Sequence, residues 1–231
     1  MKDLSFLKSN LIAHRGCFNN IDIPENTIPA FKRAIKGNHP IELDIHLLKD
    51  NTIVVYHDDN LKRLIGIDKK IIDYDYKELV KLKILNTKYT IPKLIDVLEL
   101  IDSKVPIIIE IKGDRKAGEL EPLLIKILDK YKGKYVVKSF DYKSVLWFKN
   151  NKPEYIRGLL IDSYTIKTKI NIMKTKPDFL SLNFNYYKKA NNLRKKYFLL
   201  GWTIRNKKTY NTVKKSFDNL IVEKIEENNY E

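Results

Sequence analysis

Nine short runs rich in β-branched residues are spaced along this chain, and every gap between them but one is long enough to hold a helix. The runs are Leu11 to Ala13, Ile41 to His46, Thr52 to His57, Pro106 to Lys112, Tyr135 to Phe140, Arg157 to Ile161, Phe179 to Asn183, Phe198 to Thr203 and Asn219 to Glu223. Amphipathic segments lie between them. One is capped near Asn26 or Thr27 and runs through Lys36, where Gly37 ends it. The others are Asp73 to Leu85, Pro92 to Ile101, Glu119 to Tyr131, Tyr142 to Asn150, Thr165 to Lys174, Tyr186 to Lys196 and Lys207 to Phe217. Strands alternating with helices predict a parallel sheet. The exception is His46 to Thr52, a gap of about five residues, where a parallel crossover needs a dozen or more. Those two runs are therefore expected to form an antiparallel hairpin. Setting its second arm aside leaves eight βα units, the number that closes a TIM (β/α)8 barrel, and a chain of 231 residues suits one such domain spanning 1–231.

Ionisable residues interrupt these runs where apolar ones would be expected. His14 directly follows the first, His57 ends the third, and Glu42 and Asp44 lie one residue apart in the second. Glu110 and Lys112 stand inside Ile107-Ile108-Ile109-Glu110-Ile111-Lys112. A charge rarely enters a buried strand without a partner or a task. Period-2 alternation puts Glu42 and Asp44 on one face, with Leu43 and Ile45 on the other. If Asp50-Asn51 is a two-residue turn, Lys49 faces Thr52 and Asp44 lies opposite His57. A slip of one residue would turn His57 away.

Glu42, Asp44 and Glu110 are three hard oxygen donors, a set suited to Mg²⁺ or Ca²⁺ rather than zinc. Simple pairing of Glu42 or Glu110 with Arg15 or Lys112 is the competing account. His14 and His57 are candidates for proton transfer near neutral pH. Arg15 and Lys112 can hold an anion, Arg with two parallel hydrogen bonds and Lys as a point charge. A metal, two cations and two imidazoles together point to a phosphate ester, and to a diester rather than a monoester, since one imidazole can serve attack and the other departure. Catalytic groups of such barrels sit at the C-terminal ends of the strands, where His14, Asp44, Glu110 and Lys112 all fall.

Composition narrows the classes left. Net charge is +15, carried mainly by scattered lysines, which suits phosphorylated substrates, anionic lipid surfaces or simply a solvated surface. No zinc-finger spacing or RNP-like motif accompanies the charge, so a nucleic-acid partner is not expected. No stretch approaches the roughly 20 apolar residues of a membrane span. The first residues lack the apolar core of a leader, so a cytoplasmic protein is expected, with at most transient contact with a membrane surface. The single cysteine, Cys17, follows His14-Arg15-Gly16 but has no companion residues that would make it a nucleophile. Oligomeric state leaves no mark in the sequence.

His14-Arg15-Gly16, Pro24-Glu25-Asn26-Thr27 with Ala30-Phe31, Glu42-Leu43-Asp44 and His57-Asp58 together resemble the glycerophosphodiester phosphodiesterases, within the phospholipase-C-like phosphodiesterase superfamily. Arg63, Ile91-Pro92-Lys93-Leu94, Glu110-Ile111-Lys112, Ser139-Phe140 and Gly201-Trp202-Thr203 extend the likeness over nearly the whole chain. The resemblance implies a TIM barrel and a divalent metal on Glu42, Asp44 and Glu110. It implies His14 and His57 as the acid–base pair, with Arg15 and Lys112 on phosphate. It also implies release of glycerol 3-phosphate and an alcohol, through attack by the substrate's own neighbouring hydroxyl and hydrolysis of the cyclic phosphate so formed. It sets Trp202 at the floor of a glycerol pocket, although packing would also account for that residue. Asn26 is either a helix cap or a clamp on the site loop.

The last strand departs from the family pattern Asp-Gly-Ile-Ile-Thr-Asp. Asn219, Val222 and Glu223 stand where glycine, threonine and aspartate are usual. No metal ligand is expected there, so the replacements bear on pocket shape rather than on activity. Two other enzymatic readings use the same barrel: a lysophospholipase D and a hydrolase of glycerophosphate polymers. A catalytically silent phosphate-binding protein is a third alternative, against which every expected catalytic position is filled.

Overall fold

A computed structural model describes residues 2–228 and 230 of the chain. Its strands are β1 (Ile12–His14), β2 (Ile41–Leu47), β3 (Ile53–Val55), β4 (Ile107–Ile111), β5 (Tyr135–Ser139), β6 (Arg157–Ile161), β7 (Phe179–Asn183), β8 (Phe198–Ile204) and β9 (Asn219–Val222). The helices are α1 (Ile28–Lys36), α2 (Lys62–Ile65), α3 (Tyr76–Leu79), α4 (Leu94–Ile101), α5 (Glu121–Leu128), α6 (Tyr142–Asn151), α7 (Ile166–Thr175), α8 (Tyr187–Leu193), α9 (Lys207–Val213) and α10 (Ile225–Asn228). All strands but β3 run parallel, in the order β1-β2-β4-β5-β6-β7-β8-β9, and β9 pairs back onto β1. This is a closed TIM barrel with β3 laid antiparallel on β2, as the short His46-to-Thr52 connection predicts.

Alternation along the strands builds two cores. Leu43, Ile45, Ile107, Ile109 and Ile111 point outward and pack with Phe31, Leu94, Val97 and Leu124 of the surrounding helices. Ile12, Ile108, Val136, Phe179, Leu200 and Ile221 fill the barrel interior, with Leu4 and Leu7 packed into the same cluster. Gly158 makes room there: a Cβ at that position would come within 2.3 Å of the Phe179 ring. Above this apolar floor the inward positions turn polar. His14 is level with Glu42, and Asp44, Glu110 and Lys138 lie side by side across β2, β4 and β5.

The hairpin register corrects the expectation. Ile45 faces Val55, His46 faces Val54 and Leu47 faces Ile53, one residue away from the predicted pairing, so Asp44 lies against Tyr56, whose N–H donates to its carbonyl at 3.0 Å. The turn is the cause. Leu48 N–H donates to Thr52 carbonyl, which closes a three-residue loop, and only Asn51 takes a positive φ (63°). A two-residue turn of type I′ would need positive φ at both positions. The predicted helix over Asp73 to Leu85 is also much shorter. Asp75 and Glu78 make a capping box for α3, but left-handed Leu85 and Asn86 turn the chain back. The segment instead folds over the hairpin, and Ile71, Tyr74, Leu79 and Ile84 form a satellite core with Leu48, Val54 and Tyr56.

Candidate active site

The site begins with the turn after β1. Arg15 and Gly16 both have positive φ (54° and 80°), and a Cβ on Gly16 would lie 2.8 Å from the Ala30 backbone, so α1 rests directly on this glycine. The sharp turn leaves His14 at the barrel mouth and aims the Arg15 N–H at Glu42 Oε2 (3.3 Å). Asn26 is a clamp rather than a cap: it precedes the N-cap Thr27, and its Nδ2 donates to Asp44 Oδ2 at 2.9 Å.

Glu42, Asp44 and Glu110 are all buried, and one carboxylate oxygen from each lies within 4.8 Å of the other two. Two lysines meet them. Lys112 Nζ is 2.8 Å from Asp44 Oδ1 and 2.6 Å from Glu110 Oε1. Lys138 Nζ is 2.8 Å from Glu42 Oε1 and 3.5 Å from Glu110 Oε2. Burial opposes ionisation of Asp44, but the charges of Lys112 and Arg15, with His57 and His14 behind them, hold its carboxyl well below the usual range. Burial would likewise lower Lys112, and Asp44 and Glu110 more than reverse this. The residues fit a hard divalent cation. Each of the three acids offers a hard carboxylate oxygen to one common point, and Asn26, whose Nδ2 reaches Asp44, has its own Oδ1 buried without a hydrogen-bond partner.

The two histidines are held in the same way. His14 Nδ1 lies 2.9 Å from Glu223 Oε1, and Arg205 Nε donates to the other Glu223 oxygen at 3.0 Å. His57 Nδ1 lies 2.6 Å from Asp58 Oδ1, and Arg63 donates to both oxygens of Asp58. Each imidazole is thus oriented by a carboxylate that an arginine steadies, which leaves Nε2 for chemistry. His14 Nε2 is 3.9 Å from Glu42 Oε2. Although the hairpin register is shifted by one residue, His57 stays near enough to the acids for its charge to act on Asp44. The backbone carbonyl of His57 is 3.3 Å from Nε2 of buried His46, whose Nδ1 meets Asp114 at 2.5 Å.

Arg15 and Lys112 are turned to carboxylates. Arg15 Nη1 donates to Glu25 Oε1 at 2.6 Å, and its Nε lies 3.4 Å from Asp44. Glu25 also takes two hydrogen bonds from Arg63. Burial would raise Glu25, yet the Arg63 bonds and the Arg15 charge bring it down to about 2. Trp202 stands on β8 with its indole N–H buried and unpartnered and its ring edge-on to Phe140, 5.5 Å between centroids. Cys17 is buried, which pushes its thiol up to about 12 and removes it as a nucleophile at neutral pH.

Two residues here exceed the sequence reading. Lys138 is 3% exposed and touches two of the three acids. The signal was present, since Lys138 interrupts Tyr135 to Phe140 as Glu110 interrupts its own strand. Glu223, the residue after β9, supplies no carboxylate to the acid cluster, but it partners His14, a contact the sequence does not reveal.

A sequence profile of the glycerophosphoryl diester phosphodiesterase family matches residues 14–226. A glycerophosphodiester phosphodiesterase of Caldanaerobacter subterraneus is 37% identical over 165 residues, 67% of each chain. A glycerophosphodiester phosphodiesterase structure from Thermotoga maritima superposes with a TM-score of 0.77 at 28% identity, covering 94% of this chain and 95% of that one. A phosphodiesterase from Oleispira antarctica, solved with its product sn-glycerol-3-phosphate, has the same fold with a TM-score of 0.84 at 22% identity, over 94% of both chains. Among the described residues no helix is long and apolar enough to cross a membrane.

Proposed function

The chain belongs to the glycerophosphoryl diester phosphodiesterase family, and on that footing we propose that it hydrolyses small glycerophosphodiesters to glycerol 3-phosphate and an alcohol. In this reading the one barrel over 1–231 is the catalytic unit, and it acts in the cytoplasm. The observation that carries the reading is the convergence of three buried carboxylates with two histidines, each fixed at Nδ1 by its own acid.

Glu42, Asp44 and Glu110 would hold the cation, Mg²⁺ or Ca²⁺. When bound, it supplies positive charge to the phosphoryl oxygens and relieves the repulsion among the carboxylates. Arg15 and Lys112 exchange part of their contact with those acids for the phosphate. The unpartnered Trp202 N–H offers a donor to a glycerol oxygen, and the indole face forms the floor beneath it. One imidazole Nε2 removes the proton of the substrate's neighbouring hydroxyl as its oxygen attacks phosphorus. The other gives a proton to the departing alkoxide. In the second step the roles reverse: water is deprotonated, attacks the cyclic phosphate, and the ring oxygen leaves as a hydroxyl.

The test is release of glycerol 3-phosphate from glycerophosphocholine and glycerophosphoethanolamine, with EDTA and with Mg²⁺ or Ca²⁺ restored. Release should stop with chelator and return with metal. His14→Ala and His57→Ala should each abolish turnover with an unchanged circular dichroism spectrum; normal turnover by His57→Ala would overturn the acid–base assignment. One observation favours a second reading, cleavage of lysophospholipids at the same bond: Phe140, beside Trp202 at the mouth, is 49% exposed. Turnover of lysophosphatidylcholine but not glycerophosphocholine would select it.

A further inference from the structure

α7 presents its apolar side chains to solvent. Of its ten residues only Ile172 and Thr175 are buried, whereas Ile166, Ile170 and Met173 are 76%, 40% and 67% exposed. Their i, i+4, i+7 spacing makes one stripe along the helix. Exposed Lys167, Lys169 and Lys174 flank it, with Lys176 just beyond its end. The segment 163–177 contains no acid. The nearest ones in sequence are engaged elsewhere: Asp162 accepts from Asn183 at 2.9 Å, and Asp178 pairs with Lys2 and Arg157. Lys149 of α6 adds a further cation by donating to the Lys174 carbonyl at 2.6 Å.

The stripe starts at the active-site end of the barrel. Ile166 follows the C-terminal end of β6 across a short loop, and exposed Phe140 follows the C-terminal end of β5, the neighbouring strand. We propose that this face of α7 docks the protein on an anionic lipid surface. Ile166, Ile170 and Met173 enter the boundary between headgroups and acyl chains, and the lysines meet the lipid phosphates. Charge selects this occupant. A second copy of the chain would bring the same lysines against these, at a net charge of +15 each. A polyanion such as nucleic acid would engage the lysines but leave the isoleucines and methionine unburied. The inference concerns where the barrel sits and stands apart from the reaction assigned to it.

The experiment is flotation of the full chain with phosphatidylcholine vesicles, with and without phosphatidylglycerol. Two variants accompany it, I166S/I170S/M173S and K167E/K169E/K174E. The wild type should float only with the anionic vesicles, and each variant should lose roughly tenfold or more of its partitioning. Turnover of a soluble glycerophosphodiester, which reads the active site alone, should be the same in all three proteins. Equal flotation of wild type and the serine variant would overturn the proposal, as would failure of the wild type to bind anionic vesicles. So would a wild-type dimer by light scattering that the serine substitutions dissociate, since the stripe would then be a contact between copies.

Discussion

At the scale of single residues, the acid cluster is balanced by ammonium groups rather than by solvent. Lys138 is the more telling of the two, because it is almost fully buried and pairs with both Glu42 and Glu110. Removing one partner of a buried pair leaves an uncompensated charge, so Lys138→Met should destabilise the metal-free protein by about 3–5 kcal/mol. Added Mg²⁺ or Ca²⁺ should restore part of that loss, because the cation replaces the missing charge. Thermal unfolding in EDTA and in excess metal reads both effects, and identical midpoints for variant and wild type in EDTA would contradict the account. Glu223→Gln keeps a hydrogen-bond acceptor for His14 but removes the charge that steadies it, so turnover should fall roughly ten- to a hundredfold with metal affinity little changed. Lys138 occupies an inward position of β5, whose parity is readable from the sequence, and Glu223 directly follows β9. The role of Lys138 is not legible locally, because its partners come from strands nearly 30 and 100 residues earlier, at Glu110 and Glu42.

Among the elements, the hairpin shows where local reading succeeds and where it stops. Its existence follows from chain length alone, since no crossover helix fits between His46 and Thr52. Its register depends on which loop residue takes the left-handed conformation, and Asn and Asp both tolerate it. With only Asn51 at positive φ, the loop gains a residue and every pairing moves by one. Asn51→Gly should therefore be close to neutral, while Asn51→Val should cost about 1–2 kcal/mol in chemical denaturation. Equal stability of the two variants would show that the turn relaxes to another form. The short α3 has a related origin. The residues after it bury Ile84 and other apolar side chains against the hairpin arm, and that packing outweighs helix propensity.

Over the whole molecule, several acids are held ionised by the fold. Glu25 lies near 2, and Asp44, Asp58 and Glu223 are also held below their ordinary values by the arginines, lysines and histidines around them. Each binds its proton more weakly folded than unfolded. Glu25's contribution to stability is therefore complete above its ordinary value of 4.5 and is lost as pH falls toward about 2, and the other three acids add losses in the same direction. The growing positive charge on a chain already at +15 acts in the same direction. The unfolding midpoint should be level above about pH 5 and fall steadily below it. Arg63→Met, which removes the cation bridging Glu25 and Asp58, should lower the midpoint at neutral pH and flatten the acid slope. A midpoint in the wild type that is constant from about pH 5 to 3 would contradict the linkage.

The sequence by itself determined the barrel and its hairpin arm, and it singled out three acids and two histidines as candidates for the site. Those follow from period-2 alternation, gap lengths and charges set inside apolar runs, all local properties of the chain. Only the tertiary structure decided what each charge faces: Glu223 on His14, Lys138 on Glu42 and Glu110, Arg63 between Glu25 and Asp58, and three apolar residues of α7 turned to solvent. Closing a parallel barrel brings its first and last strands together and sets side chains from distant segments at one level of the interior. An ion pair depends on a few ångströms of that arrangement, which no local pattern encodes.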